Sequence, residues 1–515
     1  MPSPRFALPF VLLLSALALA QAPAPTTFTE HVAPIVFRSC TPCHRPGEVA
    51  PFPLQTYDDL RKRGSNVLAV VEDRFMPPWH PAPGHGEFRG ELRLTEDAIA
   101  TLRAWVDGGM PEGPPAALPP LPAFPDGWQL GEPDLVVTMP EAFPVPAGGP
   151  DIYRSFVIPL ALPEDRWVRA IEVRPSARSV LHHIVFDLDA TGAARAADGK
   201  DGRPGFAGMR QLARRLQGGG EGGEGVGSAG FGGWAVGGMP QFLPDGLATR
   251  LPAGADLVLN SHFHPSGKAE QERTTIGLYF ADAPPQRSLV GIQLPPFFGV
   301  AAGIDIPAGD ADWRLADSFV LPCDVDAVTV GGHAHMLCRS LRLWATLPDG
   351  AEVPLLWIPA WDFDWQNRYT YRELVPLPTG ATLHAELRYD NSADNPSNPF
   401  DPPRRVRWGR ESTDEMGSIT LLVTPRDEAD LAALQAAVRD TMRGAFGERA
   451  AHAIERRFAE FDRDGDGFLR QDEVPRRLRR FFGELDQDGD GALTPAEARR
   501  LAERLDAQGR LREPR

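Results

Sequence analysis

Three pairs of histidines lie in apolar, strand-like runs of the sequence, where polar side chains are normally rare. The runs are SVLHHIVFDL, NSHFHPSG and GGHAHMLC, and the pairs are His182 and His183, His262 and His264, and His333 and His335. Two histidines at positions i and i+2 of a strand project to one face, as a shared metal ion requires. Imidazole nitrogens suit zinc, copper, iron or nickel. Taken together, the three pairs predict metal binding rather than packing.

The adjacent pair, His182 and His183, places a further demand on the strand that carries it. Neighbouring residues of a regular strand point to opposite faces, which would drive one imidazole into an apolar core. Both rings can reach one metal only if the strand is locally distorted. Met416, in STDEMGS, adds a thioether, which prefers copper among these metals. A zinc hydrolase is a weaker interpretation, because Met416 is a poor zinc ligand and no carboxylate base accompanies the histidines.

A second motif, SCTPCHRPG, has the Cys-x-x-Cys-His pattern of covalent haem c attachment. Cys40 and Cys43 would bind the haem vinyl groups, and His44 would be an axial iron ligand. The candidates for the second axial ligand are Met76, in RFMPPWH, and the alternatives His80 and His85. A disulfide or redox-active Cys-x-x-Cys is the competing interpretation. The segment resembles a small electron-transferring cytochrome c domain.

Two twelve-residue stretches near the C-terminus, DRDGDGFLRQDE and DQDGDGALTPAE, match the calcium-binding loop of the EF-hand. Carboxylates stand at loop positions 1, 3, 5 and 12, and a backbone carbonyl is the ligand at position 7. The predicted ligands are Asp462, Asp464, Asp466, Phe468 and Glu473 in the first loop, and Asp486, Asp488, Asp490, Ala492 and Glu497 in the second. A solvated acidic turn is the alternative. The pair predicts a structural calcium module.

Net charge and the N-terminal segment indicate which partners and which cellular location to expect. A formal net charge of −16 disfavours a nucleic-acid partner, because phosphate binding needs a concentrated basic face. Arg5, the apolar run 7–20 and its ending ALA are typical of a cleaved signal peptide, so we expect an exported protein, periplasmic or secreted. We expect no membrane span.

The chain of 515 residues divides into regions of different composition. Short β-prone runs separated by Pro, Gly, Asp and Asn fill its centre and indicate β-sandwiches. The LTEDAIATLRAWVDGG stretch predicts a helix with Thr95 as N-cap and Gly108 as its stop. A glycine-rich insert at 216–238 predicts a flexible loop, or alternatively a lid anchored by Trp234.

Beyond these motifs, the central region resembles the copper type II, ascorbate-dependent monooxygenases, which include peptidylglycine α-hydroxylating and dopamine β-monooxygenases. The resemblance covers roughly residues 130–424 and rests on the order His-His, His-Phe-His, His-x-His and a Met in a DEM context. It implies a mainly β fold of two tandem antiparallel jelly-roll sandwiches, flanked by α-helical cytochrome c-like and EF-hand domains. The expected domains are a signal peptide 1–20, a haem domain 26–112, a Pro-rich linker 113–127, β-sandwiches 128–285 and 286–425, and an EF-hand pair 445–510.

The same resemblance implies two separate mononuclear copper sites that face each other across a solvent-filled cleft. An electron-transfer copper would be held by His182, His183 and His262, and an O2-binding, catalytic copper by His333, His335 and Met416. His264 would be a substitute ligand. The implied reaction is hydroxylation of a C–H bond with O2, using electrons from ascorbate or another donor, or from the fused haem.

The chain also departs from the family pattern. Peptide-amidating members hold a substrate carboxylate with an arginine and a tyrosine, and the matching positions here are Gly331 and Thr420. A peptidylglycine-type substrate is therefore disfavoured, and a small-molecule or other peptide substrate stays open. Animal members carry several disulfides, which makes a Cys323–Cys338 bridge the expectation here. A non-catalytic copper and haem redox relay or sensor is the alternative function. His31, His384 and His452 are interpreted as surface or satisfied core residues.

Overall fold

The computed structural model of the chain describes residues 25–48, 50–124, 127–207, 232–236, 238–299 and 302–442, together with parts of 461–497. The predicted signal peptide, most of the glycine-rich insert, Asp464, Asp488 and His452 lie outside these residues. The chain forms two compact units. The first comprises residues 1–77 and 93–123, and the second comprises residues 78–92 and 124–515, in each case as far as they are described. No helix within the described ranges combines the length and apolar character that crossing a bilayer requires.

The first unit is helical and surrounds a small apolar core. Its elements are a π-helical turn Phe28–Val32, α1 (Ala33–Ser39), α2 (Tyr57–Arg61), α3 (Gly64–Glu72), α4 (Glu96–Asp107) and a 3₁₀ turn Pro115–Ala117. The Thr95 side chain accepts a hydrogen bond from the Ala98 N–H, and the helix ends at Gly108, as the sequence predicts. Trp105 on the apolar face of α4 is buried in the core.

The first β-sandwich lies in the second unit and covers the earlier half of the β region. Its strands are β1 (Leu135–Thr138), β2 (Phe143–Val145), β3 (Ile152–Pro159), β4 (Arg166–Arg174), β5 (Leu181–Asp189), β6 (Gly233–Ala235), β7 (Thr249–Leu251), β8 (Asp256–Phe263), β9 (Glu270–Glu272) and β10 (Thr275–Phe280), with a short helix α5 (Ala193–Ala197) after β5. Two antiparallel four-stranded sheets, β1-β10-β4-β7 and β3-β8-β5-β6, enclose one hydrophobic core. Trp234, the proposed lid anchor, instead lies in β6, paired with Ile184 of β5.

The second β-sandwich repeats this arrangement. Its strands are β11 (Val290–Leu294), β12 (Asp305–Ile306), β13 (Trp313–Val320), β14 (Val325–Ala334), β15 (Cys338–Thr346), β16 (Glu352–Ile358), β17 (Arg368–Leu377), β18 (Thr382–Tyr389), β19 (Val406–Arg407) and β20 (Gly417–Pro425). The sheets are β11-β20-β14-β17 and β13-β18-β15-β16. With the eight main strands of each sandwich numbered in chain order, both have sheets 1-8-3-6 and 2-7-4-5, the arrangement of two Greek keys in a jelly roll.

Residues 78–92 follow the haem motif in the sequence but pack on the second sandwich. Phe88 forms an antiparallel bridge with Tyr371, and the Arg89 N–H donates to the Thr370 carbonyl at 2.8 Å. Trp79 packs edge-on against Tyr369, with 5.2 Å between ring centroids. The expected haem domain at 26–112 is therefore interrupted, because this aromatic segment completes the hydrophobic core of the neighbouring sandwich.

Cys323 and Cys338 are both buried, and both are free thiols. The expected disulfide is wrong, because the two residues lie beyond opposite ends of β14, a strand of ten residues. Such a strand spans about 33 Å at 3.3 Å per residue, whereas a disulfide needs Cα atoms within about 7 Å. The Cys338 thiol instead donates to the Ser340 carbonyl at 3.6 Å.

Candidate metal centres

The first histidine set forms on two neighbouring strands of the first sandwich. His183 of β5 lies directly opposite His262 of β8, and the register shifts between Leu181 and His183. Two residues of β5 therefore oppose one residue of β8, which makes His182 the extra residue of a β-bulge. The bulge is the local distortion that lets both adjacent imidazoles point the same way.

The ring nitrogens of this set converge. His182 Nδ1 lies 3.1 Å from His183 Nδ1, and His262 Nδ1 lies 3.4 Å from His183 Nδ1. One ligand atom from each of the three rings lies within 4.8 Å of the others. Imidazoles bind metals in the neutral form. Burial, together with the nearby rings of His262 and His333, lowers the pKa of His182 to about 3, and burial places the pKa of His183 well below its usual value. These two rings stay neutral at pH 7 and are ready to bind a metal.

Asp151, which the sequence analysis does not identify, lies beside His262 on the side of the ring that faces away from the other two histidines. Its Oδ2 lies 3.1 Å from His262 Nε2, so the far nitrogen of the ring faces a carboxylate while Nδ1 faces the other histidines. Burial acts to raise the pKa of Asp151, but its contacts with His262 and Ser412 hold that pKa well below the usual range. Tyr153 stacks on the His262 ring, with 4.3 Å between centroids. His264, the expected substitute ligand, is directed away from the set: its Nδ1 lies 2.7 Å from Asp151 Oδ1 and its side chain is 65% exposed.

The second set forms at the end of β14 in the second sandwich. His333 Nδ1 lies 2.6 Å from Gln366 Oε1, and His335 Nδ1 lies 3.1 Å from the Asp414 carbonyl. Both contacts assign the proton to Nδ1, because oxygen can only accept, and both leave Nε2 as the free ligand nitrogen. Burial lowers the pKa of His333 to about 4 and that of His335 well below its usual value. These rings are neutral at pH 7 as well.

Met416 belongs to the same set by register. β14 pairs with β20 up to Ala334 opposite Gly417, and one further step places His335 opposite Met416. The Met416 side chain is 3% exposed. The Tyr389 hydroxyl donates to the Met416 carbonyl at 3.0 Å, and a Cβ atom at Gly417 would lie 1.9 Å from that hydroxyl. Only glycine at 417 permits this close approach, which fixes the backbone beside the thioether.

Glu415 holds the two chain segments of the second set together. It is fully buried, and its carboxylate accepts the N–H groups of His335 at 3.1 Å, Leu337 at 2.6 Å and Met416 at 3.2 Å. Burial raises its pKa to about 8. The DEM context in the sequence is thus explained by a buried acceptor for three backbone donors rather than by a further metal ligand.

The two histidine sets contact each other directly and do not face each other across an open cleft. The rings of His183 and His333 meet edge to face, with 5.7 Å between centroids. Phe363, from the loop between β16 and β17, stacks on His182 at 4.5 Å and contacts His335 edge-on at 5.9 Å. The expectation of a solvent-filled gap between two separate sites is therefore wrong for these rings. The aromatic loop of the second sandwich fills the space between the two sets.

A polar row lies beside the second set, on the same face of its sheet. Across four strands, Gln293, Thr420, Gly331 and Arg368 lie directly opposite one another. Directly paired residues share a face, and Gly331 shares that face with His333, two residues further along. Arg368 is exposed, and its Cγ would lie 3.1 Å from a Cβ at Gly331. The aliphatic part of the Arg368 side chain from β17 therefore lies over the glycine that occupies the expected arginine position, and its guanidinium donates to Thr329 Oγ1 at 3.4 Å.

The haem motif lies in the first unit. His44 Nδ1 lies 3.0 Å from the Phe52 carbonyl, which leaves Nε2 as the ligand nitrogen. Cys40 and Cys43 are not joined in a disulfide, and burial together with the neighbouring Cys43 raises the pKa of Cys40 to about 12. Cys40 and Met76 border the same hydrophobic core. These residues fit the expected haem attachment, while the alternative axial ligands His80 and His85 belong to the second unit.

The described parts of the two predicted calcium loops have matching backbone contacts. The N–H groups of Gly467 and Gly491 donate to the carboxylates of Asp462 and Asp486, at 2.9 Å and 3.0 Å. The two loops pair through β21 (Leu469–Arg470) and β22 (Ala492–Leu493), which form an antiparallel ladder. Glu473 and Glu497, at position 12 of each loop, accept the N–H groups of Arg470 and Thr494. The donor set is hard oxygen, which fits calcium.

His31 and His384, two of the three histidines predicted not to bind metal, have other partners in the structure. His31 Nδ1 accepts the Thr27 N–H at 3.1 Å. The His384 ring stacks on Trp344, with 5.1 Å between centroids.

Comparisons with known proteins do not assign a family to this chain. No family model matches it, and no curated protein does. Solved structures that match include the major capsid protein P2 of bacteriophage PM2, at 9% identity and a TM-score of 0.23, over 56% of this chain and 96% of that chain. Another is the VP2 subviral particle of infectious bursal disease virus, at 8% identity and a TM-score of 0.18, over 61% of this chain and 76% of that chain. Likenesses this weak carry no argument about fold or function.

Proposed function

We propose that this protein is an exported copper-dependent monooxygenase that hydroxylates a C–H bond with O2, with a fused haem c as an electron source and EF-hands that bind structural calcium. The observation that carries the proposal is the convergence of five imidazoles from two β-sandwiches, with the buried Met416 next to His335 by strand register. Nitrogen and thioether ligands together favour copper. His182, His183 and His262 would hold one ion, and His333, His335 and Met416 the other.

Copper bound at these residues would supply O2 activation and one-electron transfer. Hydroxylation of one C–H bond by O2 consumes two electrons and two protons, and it releases one molecule of water. Ascorbate or the haem held by Cys40, Cys43 and His44 would provide the electrons. The contact between His183 and His333 supports transfer between neighbouring sites, without the long gap that the family resemblance implies.

The protein's own side chains would keep the sites dry and their ligands oriented. Phe363 covers His182, Phe298 contacts His333 with 5.0 Å between ring centroids, and Tyr153 covers His262. These aromatic faces exclude water from the imidazoles. Gln366 and the Asp414 carbonyl fix the tautomers of the second set, so that Nε2 of each ring is available for binding. Orientation by such contacts preserves ligand geometry when the metal changes oxidation state.

The test uses the full chain carrying haem and copper. We expect two copper ions and one haem per chain, and transfer of one oxygen atom from ¹⁸O2 to substrate in the presence of ascorbate. A reduced sample mixed with O2 and substrate should also lose its reduced-haem absorbance. Copper that consumes O2 equally with and without any of a panel of substrates would contradict the proposal and support the redox relay instead.

We further propose that the polar row beside His333 binds a polar or anionic group of the substrate. The row offers a guanidinium from Arg368, an amide from Gln293 and a hydroxyl from Thr420, and Gly331 lies between them in the register. Gln293 Nε2 already lies 3.4 Å from Thr420 Oγ1. A hydrogen bond to a charged group contributes about 1.5–3 kcal/mol. Such a contact would select substrates that carry an oxyanion.

Replacing Arg368 with methionine is therefore expected to raise KM for anionic substrates by about 10–100-fold, with little change in kcat. Neutral analogues should be unaffected. Arg388→Met is the matched control, because Arg388 pairs with Asp312 on the other sheet of the same sandwich. Equal KM values for Arg368→Met and the control would show that the row does not bind substrate.

A further inference from the structure

Asp151 is a buried carboxylate that touches both sandwiches at the histidine cluster. It directly precedes β3 of the first sandwich, and its side chain is 7% exposed. Within that sandwich, Oδ2 lies 3.1 Å from His262 Nε2 and Oδ1 lies 2.7 Å from His264 Nδ1. A carboxylate behind a metal-binding imidazole fixes the ring orientation and raises the basicity of the ligand nitrogen.

The second sandwich reaches the same carboxylate through Ser412. The Ser412 N–H donates to Asp151 Oδ2 at 3.2 Å, and the Ser412 hydroxyl donates to the same oxygen. Ser412 is 6% exposed and lies in the turn that leads into Met416. That turn is closed by the Gly409 N–H, which donates to the Glu415 carbonyl at 3.1 Å. Asp151 is thus one short turn away from the thioether of the second set.

These contacts give Asp151 two separable tasks. Toward the first set, it holds His262 with Nε2 turned to the carboxylate and Nδ1 turned to His183. Toward the second set, it anchors the turn that carries Met416. Both tasks depend on one side chain, so the spacing between the two sets is linked to the orientation of a ligand in one of them.

Resting on the copper sites of the proposed function, we propose that Asp151 is a positioning residue for both metal sites, acting through His262 on one and through Ser412 on the other. It does not bind the metal. Its negative charge also favours the oxidised ion at the first site, which lowers the reduction potential there.

The test compares Asp151→Asn with the wild-type full chain carrying haem and copper. We expect the apparent copper affinity of the first site to fall about 10–100-fold in competition with a chelator, as for other residues that orient a metal ligand. The potential of that copper should rise, since the carboxylate charge is lost. Asp165→Asn is the matched control, because it removes a carboxylate of the first sandwich that pairs with Arg250.

Ser412→Ala separates the two tasks, since it removes the hydroxyl donor but leaves the His262 contact. We expect it to keep the affinity and potential of the first site and to weaken copper binding at the Met416 site. It also serves as the second variant if Asp151→Asn fails to fold. If wild-type protein binds two copper ions while both variants match it in affinity and potential, the inference is overturned and the proposed function stands. Wild-type protein that binds no copper overturns the proposed function itself.

Discussion

The double variant His333→Ala/His335→Ala is expected to retain one tightly bound copper ion and to lose substrate hydroxylation by at least about 10³-fold. We expect this loss because the double variant has too few ligands at the second set. Without the two Nε2 atoms, the second set keeps only the Met416 thioether, which cannot hold an ion alone. Metal ions contribute several kcal/mol to transition-state stabilisation, and each 1.36 kcal/mol corresponds to a factor of ten in rate.

Copper analysis, ¹⁸O incorporation and the reduced-haem spectrum together check this result. His384→Ala is the matched control, because this imidazole stacks on Trp344 at the second sandwich and belongs to neither set. It should leave two copper ions and full activity. A double variant that still bound two ions, or that still hydroxylated substrate, would remove the O2-binding role from His333 and His335.

The second large effect concerns stability. Replacing Glu415 with leucine should destabilise the protein by about 3–5 kcal/mol, because three buried N–H groups lose their acceptor and each costs about 1–3 kcal/mol when unsatisfied. The donors belong to His335, Leu337 and Met416, so copper binding at the second set should weaken as well. Chemical denaturation of the metal-free full chain, with copper competition alongside, measures both effects.

Glutamine at the same position provides the control and a test by pH. Burial raises the pKa of Glu415 to about 8, whereas an exposed glutamate titrates near 4.5. Between these two pH values the carboxyl is protonated in the folded protein and ionised in the unfolded chain. The contribution of this group is fully present below about pH 4.5 and is lost as the pH rises through about 8. Glu415→Gln stays neutral at every pH. The wild type should therefore lose stability relative to Glu415→Gln between pH 6 and pH 9, and a constant difference would contradict the buried, protonated carboxyl.

The sequence alone predicts which chemistry each segment could perform. Side-chain type and local spacing are sufficient to recognise Cys40-x-x-Cys43-His44, the EF-hand loops and the paired histidines, since these patterns depend on a few neighbouring residues. The helix from Thr95 to Gly108 was predictable for the same reason, because a cap and a stop act within one turn. The need for a distorted strand at His182 also followed from strand geometry, although the bulge itself is set by pairing with β8.

Which of these segments meet becomes clear from the folded chain. Three contacts join residues from distant parts of the chain: His183 with His333, the Asp151 carboxylate with both His262 and Ser412, and the Arg368 side chain with Gly331. Such contacts depend on how two sandwiches pack and on strand register, and neither is encoded in a short pattern. The bridge expected between Cys323 and Cys338 from the family resemblance fails for a related reason, because the extended strand β14 between the two cysteines holds them apart.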